Sequence, residues 1–449
     1  MRKAIISGVV FFCVCGISSA TNYYVSPTGS DNGGGTIDHP YATIGKGVSM
    51  VSAGDTIYLR GGQHDCVNVI KIEDVDGMPA NPITMCAYGN EVPVIDFAAE
   101  STGIRGIELK SDYWVFKDFI IQNAGDNGLY ITGTHNHIER IITRWNGDSG
   151  IQLHSGAAYN LVLNCDSYEN YDVNGNGENA DGFATKFALG PGNVLRGCRS
   201  WSNSDDGYDC WNYFDSQQVV FDRCWSFQNG INIWGDTAFA GDGNGFKLGA
   251  GSGNHWLINC VAFENPHHGI DINGNTEGVT VYNCTCIANG GTNYYFDEHN
   301  SANVLRNNIS YLASVNIYEE IDDQYNTWNG LAVDSEDFAS LDATGLNGPR
   351  EADGSLPKIS FARLVPSSSA IDVGIDVGLE YTEAAPDLGA FEFIMGDCVI
   401  DGEVDLADLE CLAARWMDTH CGTCGGADFD LDQDVNLEDF RKTAENWLY

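Results

Sequence analysis

Residues 203–211 read NSDDGYDCW and set three carboxylates, Asp205, Asp206 and Asp209, within five positions. Like charges held that close repel unless something positive sits among them. A single aspartate commonly serves only to accept turn amides and needs no ligand. A converging set does. Asp181 in DGFATK (181–186) and Lys247 in GNGFKLG (243–249) stand in similar surroundings, each beside a Gly that opens a short strand. Stacked in register, these segments bring four carboxylates and one amine onto one face. Oxygen ligands in that number suit calcium, a hard cation of flexible coordination. An amine beside such a cation can become a proton acceptor once its pKa is lowered.

The elements that must position these groups form a repeat. Short strands led by Gly recur as GLYI at 128, GIQL at 150, GFATK at 182, GYDCW at 207, GFKLG at 245 and GIDIN at 269. They alternate with apolar strands in which Cys165, Cys198, Cys224, Cys260 and Cys284 each precede an Asn by five residues: Asn170, Asn203, Asn229, Asn265 and Asn289. Asn123 and Asn146 extend that Asn series upstream. A period of roughly 22 to 38 residues without helical periodicity implies a solenoid, here an all-β parallel β-helix. Its coils stack about 4.8 Å apart, so equivalent residues form ladders. The Asn series becomes a column of amides and the Cys series a column of buried, mostly free thiols. With Gly as the register mark, Asp181, Asp206, Asn244 and His268 stand one residue before it in successive coils, and Asp209, Lys247 and Asp271 two residues after it. A helix around residues 41–52 is expected to cap the open N-terminal end of the solenoid, and residues 366–393 to close the other.

The three motifs DGFATK, NSDDGYDCW and GNGFKLG, in that order, resemble those of the family-nine pectate lyases, over roughly residues 22–393. The resemblance implies a right-handed parallel β-helix that cleaves polygalacturonate by β-elimination. It implies that Asp181, Asp205, Asp206 and Asp209 bind the catalytic Ca²⁺ and that Lys247 is the Brønsted base. The chemistry is consistent with those roles, since removing the C5 proton of a uronate builds charge on its carboxylate, which a Lewis-acidic cation stabilises. Arg144, Arg199, Lys186 and Arg223 are candidates for holding other substrate carboxylates, and nothing in the spacing separates them. Two other readings use the same residues. Asp205 and Asp206 could serve as acid and base of a polygalacturonase-like inverting hydrolase with His268 nearby, or the β-helix could bind polysaccharide without cleaving it.

Residues 397–408 (DCVIDGEVDLAD) and 428–439 (DFDLDQDVNLED) are a duplication, each copy followed by a helical segment carrying Trp416 or Trp447. Positions 1, 5, 9 and 12 carry Asp397, Asp401, Asp405 and Asp408 in one copy and Asp428, Asp432, Asn436 and Asp439 in the other. Position 3 is Val399 in the first and Asp430 in the second. This is EF-hand-like calcium-loop spacing, and it resembles a type I dockerin, which implies a cohesin-bearing scaffold as partner. Val399 and Gln433 depart from the usual loop. Cys398, Cys411, Cys421 and Cys424 are expected to form two disulfides, with the pairing open. The chain thus divides into a signal peptide (1–20), a β-helix domain (21–395) with an N-terminal helical cap, and a small α-helical, EF-hand-like module (396–449).

The signal peptide is MRKAIISGVVFFCVCGISSA, with a basic head, an apolar middle and small residues before the cut. No later run of about twenty apolar residues follows, so a secreted protein is expected. The formal net charge of −41 argues against nucleic acid and anionic membranes as partners. A bound cation would let so acidic a protein hold a polyanion, because it inverts the local charge.

Overall fold

The structure, a computed structural model, describes residues 20–99, 101–211, 217–297, 302–422 and 424–447; the expected signal peptide lies, except for Ala20, outside them. Each coil gives one short strand to each of three sheets, as in Trp114–Lys117, Ile120–Gln122 and Leu129–Ile131. The sheets hold 12, 10 and 10 strands, paired in parallel from coil to coil. This is the expected parallel β-helix. Strands of three or four residues suffice because their inward side chains meet at a common axis and need no second sheet to bury them.

Between the first two strands of successive coils the chain turns on one left-handed residue. Asp118, Arg140, Asn164, Arg223, Asn259, Asn283 and Asn307 have φ of 65°, 52°, 54°, 53°, 54°, 50° and 58°. Each such non-glycine residue costs about 1 kcal/mol, which the stacked backbone ladder offsets.

The next corner carries the amide column. The side-chain amides of Asn146, Asn170, Asn203, Asn229 and Asn265 donate in turn to the following Asn carbonyl, at 2.9, 2.8, 2.9, 3.2 and 3.0 Å, as far as Asn289, which donates onward to Asn293 at 2.9 Å. Asn123 stands outside it. Its own amide donates to Asp96, and Ala124, one residue on, is the position that meets Asn146. A second buried column, Asn136 to Asn160 to Asn193, lines the third corner and had no Cys beside it to mark it. The Cys column is as expected: Cys165, Cys198, Cys224, Cys260 and Cys284 are buried and free.

The N-terminal cap is α1, Ile44–Val48, shorter than the expected span. Two glycines in five residues weaken it. Gly47 is needed there, since a Cβ would come 3.0 Å from Val25 and 3.4 Å from Ile57 of the first coils. Thr43 caps the helix, and Ile44 and Val48 are buried against the solenoid end.

At the far end, Ala370, Leu388 and Phe393 of the closing segment, with Phe338 and Leu364 before it, form one core with Ile309 of the last coils. The same core continues into Cys398, Leu412, Phe429 and Val435. No linker therefore separates residues 395 and 396. Helices α2 (Leu406–Ala414) and α3 (Leu437–Glu445) each begin with a capping box, at Asp405 and Asn436. Two disulfides form, Cys398–Cys411 and Cys421–Cys424. No helix among the described residues is long and apolar enough to cross a membrane.

Candidate active site

The third sheet carries the acidic centre. In its strands Phe183–Thr185, Tyr208–Asp209 and Phe246–Lys247, side chains alternate between core and surface. Phe183, Tyr208 and Phe246 point inward and stack with ring centroids 5.0 and 4.6 Å apart, planes 7° from parallel in both pairs. A slip of one residue would turn these rings to solvent, so the stack fixes the register. Outward stand Ala184, Asp209, Lys247 and Asp271, aligned across neighbouring strands as expected. Glycine is obligatory just before the strands. A Cβ on Gly182 would lie 2.0 Å from Ser200 Oγ, and one on Gly207 2.0 Å from Ser226 Oγ.

Asp181, Asp205 and Asp206 converge, one oxygen from each lying within 4.8 Å of the others, and all three are buried. Asp206 Oδ1 accepts the Asn244 backbone and side-chain N–H groups at 2.7 and 2.9 Å. Its Oδ2 is buried and forms an ion pair with Lys247 Nζ at 3.1 Å. Asp205 Oδ1 accepts the Asp242 N–H at 2.7 Å. Asp181 Oδ2 accepts from Ser149 Oγ at 2.9 Å and from Lys186 Nζ at 2.8 Å. Asp209 is not in this trio. Its Oδ1 accepts the Trp211 N–H and its Oδ2 lies 2.7 Å from Lys186 Nζ.

The charges follow from this crowding. Burial, with Asp209 and Asp206 adding to it, pushes Asp181 up to about 8 despite Lys186. Burial also raises Asp205 and Asp206, each helped by a neighbouring carboxylate. Burial works to lower the Lys186 amine, yet Asp181 and Asp209 outweigh it and hold it well above the usual lysine value. Lys247 behaves alike: burial lowers it, and Asp206, Asp209 and Asp205 more than reverse that. Asp242 adds an ion pair to Lys247 at 2.9 Å. Asp271, in the next coil, is raised to about 7 by burial.

A hard cation fits here. The donors are all oxygen, and three of them, from the buried carboxylates of Asp181, Asp205 and Asp206, converge within 4.8 Å of one another. Beside them opens a cavity of about 360 Å³ whose walls include Lys186, Asp205, Asp209, Asp242, Lys247 and, on the apolar side, Phe187 and Trp211.

Of the four cations named as substrate contacts, only Lys186 lines this cavity. Arg199 is buried against Asp166, its Nη2 2.8 Å from Asp166 Oδ2, and it donates to the Leu346 and Gly348 carbonyls, fastening the chain that follows the last coil to the sheet. Arg144 donates to Gln122 and Tyr168, and Arg223 pairs with Asp222. Asp242 was not legible as a partner of the site, because it sits in a long corner insertion whose path the coil register does not set. Lys186 was visible at the end of DGFATK, but its bridge between Asp181 and Asp209 needed two coils side by side. The arrangement does not suit inverting hydrolysis. Carboxyls of such enzymes stand about 6.5–9.5 Å apart to admit a water, and the Asp205 and Asp206 oxygens are within 4.8 Å. His268 Nδ1 is engaged by the Thr292 N–H and hydroxyl, and its ring stacks on Tyr295.

The two C-terminal loops show parallel bonding. Asp397 accepts the Asp401 and Gly402 N–H groups, and Asp428 those of Asp432 and Gln433. Asp408 and Asp439 each accept two backbone N–H groups of their own loops. Asp401, Asp405, Asp432 and Asn436 accept a turn amide two residues on. Asp428, Asp430 and Asp439 bring one oxygen each within 4.8 Å, whereas the first loop, with Val399 in place of a ligand, forms no such group among the described residues.

Comparison with known proteins agrees with this geometry. Residues 23–308 match the family described as Pel9A-like, right handed beta helix region. The chain is 39% identical to pectate lyase L of Dickeya dadantii over 395 residues, covering 84% of this chain and 92% of that one. It is 36% identical to pectate lyase PEL9 of Emericella nidulans over 381 residues, 76% of this chain and 92% of that one. The crystal structure of pectate lyase Pel9A superposes with a TM-score of 0.78 at 38% identity, covering 84% of this chain and 97% of that one. The ordered acidic motifs, their convergence on one face of a three-sheet solenoid and these similarities place the chain in the Pel9A-like right-handed β-helix family of pectate lyases.

Proposed function

We propose that this chain is a secreted, calcium-dependent pectate lyase that cleaves polygalacturonate by β-elimination, with Lys247 as the base. The observation that carries the reading is Lys247 Nζ, at the wall of the cavity and 3.1 Å from Oδ2 of Asp206, one of the three converging carboxylates. Asp181, Asp205 and Asp206 would hold the ion, with Asp209 joining through the oxygen that otherwise faces Lys186. Bound there, Ca²⁺ would offset the carboxylate field that keeps the Lys247 amine charged and would offer positive charge to a substrate carboxylate. Neutral Lys247 Nζ accepts the C5 proton. The C–H electron pair becomes the C4=C5 bond as the C4–O bond breaks, and the departing oxygen takes a proton from water. Asn244 fixes the rotamer of Asp206, while Phe187 and Trp211 offer an apolar wall to the sugar ring. Digestion of polygalacturonate followed in the ultraviolet tests this: absorbing 4,5-unsaturated products that vanish with chelator and return with Ca²⁺ are expected. Saturated products formed equally well in chelator would overturn it.

We propose further that the second C-terminal loop, through Asp428, Asp430, Asp432, Asn436 and Asp439, binds Ca²⁺, that the first does so more weakly through Asp397, Asp401, Asp405 and Asp408, and that the module is dockerin-like. In support, Leu409, Leu412, Trp416, Leu437 and Phe440 line an apolar hollow of about 480 Å³ on α2 and α3, suited to a cohesin. Calcium titration of the intact chain, with retention on an immobilised cohesin panel, is the test; no calcium-dependent retention would remove the scaffold reading.

A further inference from the structure

The loop Tyr171–Asn179 is a wall with two faces. Glu178 and Asn179 at its end line the catalytic cavity, whereas Tyr171, Val173 and Asn174 line a different hollow of about 460 Å³ on its other side. Trp145, Trp234, Glu169 and Asn123 complete that hollow.

Its aromatic rings are held in place although partly exposed. Trp145 is 44% exposed on a left-handed backbone, φ 59°. The Arg144 guanidinium packs 4.1 Å from the centroid of its indole, and Glu169 accepts the indole N–H at 2.7 Å. Trp234 stacks on Tyr171 at 4.6 Å with planes 13° apart, and the Tyr171 hydroxyl donates to Asp236. Each plate therefore keeps its orientation without a ligand, and little side-chain entropy remains to be lost on binding. Exposed Val173 lines the same hollow, and exposed Ile231 and Ile233 lie just before Trp234 in the chain. A contiguous aromatic and aliphatic surface of this kind, mixed with a few amides, marks a binding site rather than ordinary surface.

The charge disfavours the main substrate class. The charged side chain among the lining residues is Glu169, which repels a uronate carboxylate, while the Arg144 guanidinium is taken up against the Trp145 indole. Flat rings that meet the C–H face of a pyranose, with amides and one carboxylate to meet its hydroxyls, match an uncharged hexose.

We propose that this hollow is an accessory site for neutral hexose units, such as a branch or an uncharged stretch of the polysaccharide whose acidic part occupies the neighbouring catalytic cavity. The full chain, titrated by calorimetry with neutral tetrasaccharides of galactose, glucose and mannose, should bind at least one of them. Trp145→Ala and Trp234→Ala should each weaken that binding by about tenfold or more, and Trp145→Phe, which keeps a ring face, should restore most of it. Turnover of unbranched oligogalacturonates should be unchanged in all three variants. The proposal is overturned if none of the three sugars binds at millimolar concentration. It is equally overturned if binding survives both alanine variants, or if these slow unbranched oligogalacturonate turnover, which would make the hollow part of the main groove.

Discussion

The molecule concentrates carboxylates in two ways, and the contrast is instructive. In the solenoid, Asp181, Asp205 and Asp206 come from two coils, are buried, and have Lys186 and Lys247 inserted among them and Asp209. In the C-terminal loops the carboxylates come from twelve-residue stretches and are satisfied by their own turn amides. A local loop can turn its own amides onto its carboxylates. The ladder cannot, because backbone pairing to neighbouring coils fixes each aspartate whatever its charge. The solenoid site therefore holds like charges together as a consequence of stacking, and lysines carry the balancing charge.

The largest effect that would sharpen this contrast is at Lys247. Lys247→Ala should lower turnover of polygalacturonate by about 10²–10⁴-fold, with calcium affinity and fold retained, as read by kinetics beside calorimetry and circular dichroism. In the native enzyme the rate should climb through the alkaline range, since the carboxylates around Lys247 hold its amine charged. Substantial activity with an unshifted pH profile would assign the base elsewhere.

Asp206→Ala and Asp439→Ala probe the two regions against each other. The first should abolish calcium-dependent turnover and leave thermal stability near native, because it relieves buried like-charge repulsion even as it frees the Asn244 amides. The second should spare turnover and loosen the C-terminal module, since Asp439 ties the Phe429 and Asn436 N–H groups. Equal effects of both on turnover would erase the distinction.

Removing residues 396–449 should lower the melting temperature by several degrees, because it uncovers Leu364, Leu388 and Phe393 in the shared core. Activity at low temperature should persist, as no residue of the module lines the catalytic cavity. A truncated chain as stable as the full one would mean that the shared core contributes little.

The smallest effect concerns Glu392 of the closing segment, where burial, with Asp387 beside it, raises the carboxyl to about 8. A carboxyl raised in the folded state favours folding while protonated. That contribution is complete below its ordinary value of 4.5 and is lost as pH rises through about 8. Glu392→Gln should therefore flatten the fall in melting temperature between about pH 5 and about pH 8 relative to the native chain; an identical fall in both would sink the assignment.

The sequence by itself determined the solenoid, since Gly-led strands and the Cys–Asn spacing repeat at a period that admits little else, and period-2 alternation then dictates which side chains face outward. It also determined that Asp181, Asp206, Asp209 and Lys247 share a face, because stacking converts equal offsets from Gly into adjacency. The duplicated loops were equally legible, their spacing being local. Asn123 was misplaced by one residue because the left-handed residue and the ladder residue of a corner can both be Asn. Only the tertiary structure decided that Lys186 bridges Asp181 and Asp209, that Asp242 reaches Lys247 from a corner insertion, and that Arg199 is a buried fastener. Each depends on where a long side chain or an irregular loop comes to rest, which strand register does not fix. The joining of the C-terminal module to the solenoid end was likewise hidden. It rests on scattered apolar residues such as Ile309, Phe393, Leu412 and Phe429, whose common core exists only once segments more than a hundred residues apart are folded together.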